Sequence, residues 1–95
     1  MTPEGQLKAD CRKIAKKRHL IFWNIEGKGI NGVPDTVCGK VAGGVAFVEF
    51  KRPDGTGVIS VQQHKRVGEL LAAGVDAYFV DSIEGYIAVI EDTVL

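Results

Sequence analysis

The sequence has few of the residues that stabilise small domains through cross-links. It contains only two cysteines, Cys11 and Cys38, among 95 residues, with no CxxC spacing and only two histidines. This pattern indicates free, reduced thiols and argues against a disulfide framework or a structural zinc site. A chain of this size folds on a core with little surplus stability, so self-association would help it.

Long hydrophobic runs are also missing. The uncharged stretch at residues 41–48 has eight residues, whereas a membrane-spanning helix needs about 20 apolar residues and a secretory signal needs a basic start before an apolar segment. With 45% hydrophobic and 25% charged residues, the composition predicts one soluble globular domain over residues 1–95. We therefore expect a cytoplasmic, intracellular protein without membrane contact.

The chain has no net charge, but its charges are unevenly distributed. All 12 Lys and Arg residues lie between Lys8 and Arg66, and residues 1–66 hold six acids, which gives this part a net charge of +6. The last 29 residues hold six acids and no base. Such asymmetry favours binding of a polyanion, such as nucleic acid, by one part of the domain.

The hydrophobic pattern predicts an α/β fold with the element order αβββαβ and a mixed central sheet flanked by helices. The expected elements are a helix at residues 3–18, strands at 20–25, from 35, at 45–51 and at 77–81, a helix at 61–73 and a short helix after Ser82. The last segment also fits a strand at 86–90, but its isoleucines recur at helical spacing, which favours the helix. Its expected apolar stripe is Ile83, Ile87, Ile90 and Val94.

Capping residues and apolar stripes define the two longer helices. Thr2 can cap the first helix, Ser60 can cap the second, and Gly74 can end it. The expected inward stripes are Leu7, Cys11, Ile14 and Ala15 in the first helix and Val67, Leu70 and Leu71 in the second. Phe22 and Trp23, in the first strand, are expected to be core or dimer contacts rather than base-stacking side chains.

A glycine-rich segment follows the first predicted strand. Gly27, Gly29 and Gly32 spell GxGxxG, as in dinucleotide-binding turns. That fingerprint requires a helix to begin at the glycines, but Pro34 disfavours helical geometry before it and no βαβ unit surrounds the segment. We therefore predict a loop that can lie close to a ligand, and no nucleotide cofactor.

Several polar residues occupy places where the pattern calls for apolar side chains or a tight turn, and such places are candidates for function. They are Glu4 and Gln63 on the inner stripes of the two helices, Asp35 after a proline, and Glu49 with Lys51 on one face of the central strand. Alternation along that strand brings its acid and its base out of the core side by side.

Each of these residues also has an ordinary structural explanation. Glu4 can favour the helix N-terminus or pair with Lys8 one turn later. Asp35 can be a turn residue, the two charges of the central strand can lie at the surface, and Gln63 can be a solvent-exposed helix residue. Their joint occurrence in one short chain favours a functional site.

Two carboxylates and a main-chain carbonyl form a set of hard oxygen donors. Asp35, Glu49 and the carbonyl of Phe50 suit Mg²⁺ or Mn²⁺, which prefer octahedral oxygen coordination and keep several waters. Such a metal would polarise a phosphate and lower the pKa of a bound water. Lys51 could orient that water and balance the charge of the transition state. The pattern therefore predicts phosphodiester hydrolysis.

The order of these residues resembles the PD-(D/E)xK nuclease core and, across essentially the whole chain, the VRR-NUC (virus-type replication-repair nuclease) family. The resemblance is carried by Glu4 in the first helix, the segments GVPD at 32–35, FVEFKRP at 47–53 and SVQQ at 60–63, and by Leu70 and Gly74. One departure is Gly5, which follows Glu4 where a good helix former is expected.

The resemblance implies a restriction-endonuclease-like fold with catalytic positions at Glu4, Asp35, Glu49, Lys51 and Gln63. It implies a Mg²⁺ or Mn²⁺ ion held by Asp35, Glu49 and the Phe50 carbonyl, with Glu4 acting through a water. Gln63 is chosen over Gln62 because it lies 11 residues before Gly74, where the family spacing puts it.

The resemblance also implies a minimal, homodimeric, structure-specific endodeoxyribonuclease that acts on branched DNA such as Holliday junctions. A virus-encoded (phage) origin and a role in DNA repair fit the same resemblance. Two other readings stay open: a sequence-specific or non-specific nuclease of this superfamily, and a non-catalytic DNA-binding protein that keeps the fold. The clustered carboxylates argue against the last, because they repel phosphates unless a metal intervenes.

Basic residues outside the catalytic set are expected to contact DNA phosphates, which position DNA without reading its sequence. They are Lys8, Arg12, Lys13, Lys16, Lys17, Lys28, Lys40 and Arg52. His64 and Arg66, beside Gln63, either touch DNA or belong to a solvated helix face.

Overall fold

The computed structural model describes residues 1–25 and 29–94. Within these ranges it contains helices α1 (Pro3–Lys17), α2 (Val61–Ala72) and α3 (Ile83–Val89) and strands β1 (Ile21–Asn24), β2 (Thr36–Gly39), β3 (Val45–Phe50) and β4 (Asp76–Val80). A π-helical turn at Ile90–Val94 continues α3. The order confirms the predicted α/β class and the helix after Ser82. No helix in the described ranges is long and apolar enough to cross a membrane.

The strands form one mixed sheet in the order β1-β2-β3-β4. β1 and β2 pair antiparallel, as do β2 and β3, whereas β3 and β4 run parallel. A parallel pair needs a crossover connection, and α2 provides it between β3 and β4. The mixed sheet predicted from the sequence is therefore confirmed.

The hydrophobic core lies between one face of the sheet and helices α1 and α3. Ala46, Val48 and Phe50 alternate along β3 and are completely buried on this face. They pack in one cluster with the inner residues of α1 and α3. The Phe50 ring lies 5.9 Å from that of Phe22 and 6.4 Å from that of Tyr86, so Phe22 is a core contact as expected.

Helix α1 begins and packs as its sequence predicts. The Thr2 side chain accepts a hydrogen bond from the Gly5 main-chain N–H at 3.0 Å, and Pro3 occupies the first helical position. Leu7, Cys11 and Ala15 are buried, with Ile14 packed against the same cluster. Gly5, after Glu4, therefore does not prevent a well-capped helix, since its own N–H donates to the cap.

Two predicted apolar stripes are partly wrong. In α2, Val67 is buried, but Leu71 is 52% exposed because the helix packs mainly on β4, the last strand of the sheet. In the C-terminal segment, Ile90 and Val94 of the predicted stripe are buried, but Tyr86 and Val89 also face the core and Ile83 is 37% exposed. Helix α3 packs on both α1 and the sheet, and these two neighbours select its inner face.

The second face of the sheet is covered less completely. The side chains of Trp23, Val37 and Phe47 form a row across β1, β2 and β3, since these residues are paired in register. Trp23 is 61% exposed and Val45, on the same face, is 47% exposed. Trp23 is therefore not a core residue of the monomer, and its role as a dimer contact stays a prediction.

Candidate active site

The register of β2 and β3 brings two carboxylates together. Thr36 pairs with Val48 in the antiparallel ladder, so Asp35 and Glu49 are the next residues along these two strands and lie opposite each other. Pro34, which is buried, stiffens the approach to Asp35. The main-chain carbonyl of Asp35 accepts a hydrogen bond from the N–H of Ile25 at 2.8 Å, which extends the pairing of β1 with β2.

Glu49 is the buried acid of this pair, with only 8% of its surface exposed. Burial, followed by the negative charge of Asp35, raises the pKa of Glu49 from its ordinary value of 4.5 to about 7. Glu4 also raises this pKa, whereas Lys51 and Lys8 lower it. Residues from α1, β3 and the start of β2 therefore share one electrostatic cluster.

Lys8 forms an ion pair inside this cluster. Its Nζ lies 3.1 Å from Oδ2 of Asp35, and the two side chains are 23% and 31% exposed. The other carboxylate oxygen, Oδ1, accepts a hydrogen bond from the Thr36 hydroxyl at 2.8 Å. Lys8 was expected to contact DNA phosphate, but in this structure it neutralises Asp35.

Lys51 points toward the start of α2. Its Nζ donates to Oε1 of Gln63 at 2.6 Å and to the main-chain carbonyl of Val58 at 3.1 Å. Lys51 directly follows β3, and its main-chain N–H donates to the carbonyl of Val80, at the end of β4, at 2.8 Å. The ammonium is thus held by two neutral acceptors and is half-buried beside Glu49.

A capping box positions Gln63. The Ser60 hydroxyl accepts from the Gln63 N–H at 3.1 Å, and Oε1 of Gln63 accepts from the Ser60 N–H at 3.0 Å. The third helical position, which the box requires, is residue 63 and not residue 62. This geometry gives a local physical reason for choosing Gln63 over its neighbour, which is exposed.

The glycine-rich segment packs against the same turn of α2. Gly32 has a φ of +86°, and a Cβ placed on it would collide with the main chain of Gln62 and Gln63. Nε of Arg66 donates to the Asn31 carbonyl at 3.2 Å and ties the segment to α2. The predicted close approach is therefore made to the protein's own helix. Gly27 lies outside the described residues.

The predicted catalytic residues Glu4, Asp35, Glu49, Lys51 and Gln63 come together through these contacts and charges. Their catalytic roles stay a prediction. Sequence reasoning missed three contributions, namely the pairing of Lys8 with Asp35, the Val58 carbonyl and the packing of Gly32. The position of Lys8 four residues after Glu4 places it on the same side of α1, but it does not reveal the pairing with Asp35.

The remaining basic residues predicted to contact DNA lie mostly at the surface. Arg12, Lys13, Lys16, Lys17, Lys40 and Arg52 are exposed. Arg52 lies 3.4 Å from a carboxylate oxygen of Asp54, and Arg12 lies over the ring of Phe22 at 5.6 Å from its centre. Lys28 lies outside the described residues.

A divalent cation would have to be held here by few protein atoms. Among residues 1–25 and 29–94, no three His, Cys, Asp or Glu side chains are grouped so that they could hold a metal. Asp35, Glu49 and a main-chain carbonyl nevertheless suit an ion that keeps several of its waters, as Mg²⁺ does. After burial, the negative charge of Asp35 is the main cause of the raised pKa of Glu49, so a cation bound by both carboxylates would relieve their repulsion and the donor set fits such an ion.

The order αβββαβ around a mixed sheet, with an acid and a lysine at the end of β3, is the arrangement that the resemblance to the PD-(D/E)xK nucleases led us to expect. A solved structure of a VRR_NUC domain superposes on this chain with a TM-score of 0.83 and 21% identity, over 97% of this chain and 98% of the other. No family model and no curated protein matches the sequence. The chain thus has the VRR_NUC fold, which confirms the resemblance at the level of the fold.

Proposed function

We propose that this protein is a metal-dependent endodeoxyribonuclease that acts as one VRR-NUC-type domain over residues 1–95. The observation that carries the proposal is the juxtaposition of Asp35 and Glu49 on paired strands, with Lys51 directly after the second of them. Clustered carboxylates destabilise the folded state and repel DNA phosphates unless they bind a cation. A purely DNA-binding protein would have no use for them.

Asp35, Glu49 and the Phe50 carbonyl would hold Mg²⁺ or Mn²⁺, with Glu4 acting through a water. When bound, such an ion polarises a phosphate oxygen and lowers the pKa of a water ligand. The protein's own contribution comes from Lys51, whose ammonium lies near enough to Glu49 to lower the pKa of this acid and can stabilise negative charge developing on the phosphate. Gln63 holds that ammonium in place by accepting its hydrogen bond at 2.6 Å.

The exposed basic residues of α1 would bind the DNA backbone. Arg12, Lys13, Lys16 and Lys17 follow the part of the helix that carries Glu4 and Lys8, so phosphates bound there would run toward the carboxylates. Each neutralised phosphate contributes a slope of about −0.9 to the dependence of log affinity on log salt. Such contacts carry no sequence information, which fits recognition of DNA by shape.

The proposed substrate is branched DNA, and the proposed active form is a homodimer. A four-way junction is two-fold symmetric, so paired nicks need two centres related by a matching axis. The open row of Trp23, Val37 and Phe47 supports a second copy as the partner, because it is apolar and its tryptophan is 61% exposed. On this proposal, the row lies in the dimer interface.

The dimer is tested by the mass of the protein in solution. Trp23→Ser should shift sedimentation toward the monomer at micromolar concentration, because it removes the largest apolar side chain of the row. Leu71→Ser is the matched control, since Leu71 is 52% exposed on a different surface. A dimer that both variants retain would place the interface elsewhere, and a monomeric wild type would remove the dimer from the proposal.

The activity is tested with purified protein and labelled four-way junction, splayed-arm and linear duplex DNA, each with Mg²⁺, Mn²⁺ or EDTA. Symmetric nicks near the branch point, lost in EDTA, would support the proposal. Asp35→Asn and Glu49→Gln should abolish cleavage while DNA binding survives, and Asp76→Asn, an exposed acid at the start of β4, should cleave normally.

The same experiment separates the rival functions. Equal cleavage of linear duplex would keep the nuclease and discard branch specificity, and cuts at defined sites in linear DNA would indicate a sequence-specific enzyme. Tight binding without cleavage in either metal would favour a non-catalytic DNA-binding protein. Full activity of both carboxamide variants would overturn the assigned site.

A further inference from the structure

We infer that Lys8 is the internal counter-ion of the carboxylate cluster, and that a divalent cation must displace its ammonium from Asp35 in order to bind. The inference rests on the proposed metal-dependent function and adds a competing cation supplied by the protein itself. From the sequence, Lys8 was a candidate DNA contact and a candidate partner of Glu4, and its ion pair with Asp35 assigns it this further role.

The first argument is the occupancy of the Asp35 carboxylate. Oδ2 faces the Lys8 ammonium at 3.1 Å, and Oδ1 accepts the Thr36 hydroxyl hydrogen bond at 2.8 Å. Both oxygens are therefore engaged before any metal arrives. A cation approaching Oδ2 would meet a like charge only a few ångströms away, which is unfavourable at any effective dielectric of a protein surface.

The second argument is the balance of charge. Glu4, Asp35 and Glu49 act on one another in a partly buried place, while Lys8 and Lys51 supply the nearby positive charge. The Lys51 ammonium is fixed by Gln63 and by the Val58 carbonyl, so Lys8 is the ammonium in direct contact with Asp35. A divalent ion would replace the charge that Lys8 contributes and leave its ammonium free.

The third argument is reach. A lysine carries its charge on a flexible four-carbon stem, so the ammonium can leave Asp35 while α1 stays in place. Lys8 is one turn before the exposed base Arg12 on the same helix, and the freed ammonium would join that basic surface. Metal binding would thereby add one phosphate contact, and DNA binding and metal binding would favour each other.

The direct test is Mn²⁺ affinity of the protein without DNA, measured from the free-ion signal in electron paramagnetic resonance. Lys8→Met should bind Mn²⁺ about fivefold more tightly than wild type, because the competing charge is gone. Lys8→Arg keeps the charge and should stay near wild type, and Lys65→Met, which removes an exposed lysine of α2, should equal wild type. Equal or weaker affinity of Lys8→Met would overturn the inference.

The failure of the proposed function looks different. If the wild-type protein binds no Mn²⁺ ion that is lost in Asp35→Asn, the proposed metal dependence itself is contradicted, whatever the result for Lys8→Met.

The displacement of Lys8 is checked separately by the salt dependence of junction binding in Lys51→Met, a variant that keeps both carboxylates and Lys8. Added Mn²⁺ should steepen the slope by about 0.9 in Lys51→Met but not in the double variant with Lys8→Met. Equal steepening in both would overturn the release of Lys8.

Discussion

The Lys51 ammonium and the Gln63 side-chain oxygen lie 2.6 Å apart, and the same oxygen accepts the Ser60 main-chain N–H at 3.0 Å. One atom therefore joins the cap of α2 to the basic group of the candidate site. Removing this oxygen would weaken both the N-terminal cap of α2 and the hydrogen bond that positions the Lys51 ammonium.

Gln63→Ala should consequently lower both stability and cleavage. Loss of the cap and of the lysine contact should cost about 1–2 kcal/mol in the free energy of unfolding. It should also lower the cleavage rate by at least about tenfold, because a misplaced group loses its effect on the transition state. Gln62→Ala, the exposed neighbour, is the control, and urea unfolding with single-turnover cleavage gives both numbers. Equal behaviour of the two variants would contradict this role.

The raised pKa of Glu49 predicts that the free energy of unfolding of the metal-free protein falls as this acid becomes charged. The folded state holds this proton more tightly, with a pKa of about 7 against an ordinary 4.5. The stability associated with the protonated acid is complete below pH 4.5 and is lost as the pH rises through 7. In EDTA, Glu49→Gln should therefore match wild type near pH 4.5 and exceed it at pH 8 by roughly 2–3 kcal/mol.

Urea unfolding at the two pH values measures this difference. Glu91→Gln, which removes an exposed acid outside the site, is the control. A gain from Glu49→Gln that is the same at both pH values would indicate a packing effect, and the assignment of the raised pKa to Glu49 would then be wrong.

Gly32→Ala and Gly29→Ala separate backbone strain from collision. Gly32 and Gly29 have a positive φ, of +86° and +79°. Among residues 1–25 and 29–94, a Cβ at Gly32 would meet the main chain of α2, whereas a Cβ at Gly29 would meet no atom within 4 Å. Gly29→Ala should cost about 1 kcal/mol of stability from its conformation alone. Gly32→Ala should cost clearly more and should also reduce cleavage, since it moves the turn that carries Gln63. Equal losses of stability in the two variants would mean that α2 accommodates the added Cβ at Gly32 at no cost.

Tyr86→Phe should leave the protein as stable as wild type or make it up to about 1 kcal/mol more stable. The Tyr86 hydroxyl is completely buried and finds no hydrogen-bond partner among residues 1–25 and 29–94. A buried polar group without a partner costs free energy. Tyr78→Phe is the contrasting variant, because its hydroxyl and that of Thr93 are 2.8 Å apart. It should lose about 1 kcal/mol in thermal unfolding, and the opposite ranking would refute the argument.

Local signals explain what the sequence could predict about the fold. Caps at Thr2 and Ser60, alternation along β3 and the spacing of Leu7, Cys11 and Ala15 depend on neighbours in the chain, and each appears in the structure. The exposed Leu71 and the buried Tyr86 were not predictable in this way. Their faces are chosen by which distant element packs on the helix, and no short-range pattern contains that information.

The candidate site, like the fold, has a part that local sequence signals predict and a part that depends on long-range packing. Asp35, Glu49 and Lys51 were predicted because acids and bases next to buried strands are conspicuous in the sequence. The support given to Lys51 by the Val58 carbonyl and to α2 by Gly32 depends on main-chain atoms, which carry no residue-type signal. The pairing of Lys8 with Asp35 joins residues 27 positions apart, and only the packing of α1 on the sheet reveals it.

The dispersal of the site along the chain links chemistry to folding. Its side chains come from α1, the start of β2, the end of β3 and the first turn of α2, so only a fragment that spans at least residues 4–63 contains them all. A proteolytic piece, or a nascent chain that has not yet formed β3, would hold at most part of the constellation. The proposed cleavage of DNA would therefore be confined to molecules that have finished folding. The active fraction of a protein sample would equal its folded fraction.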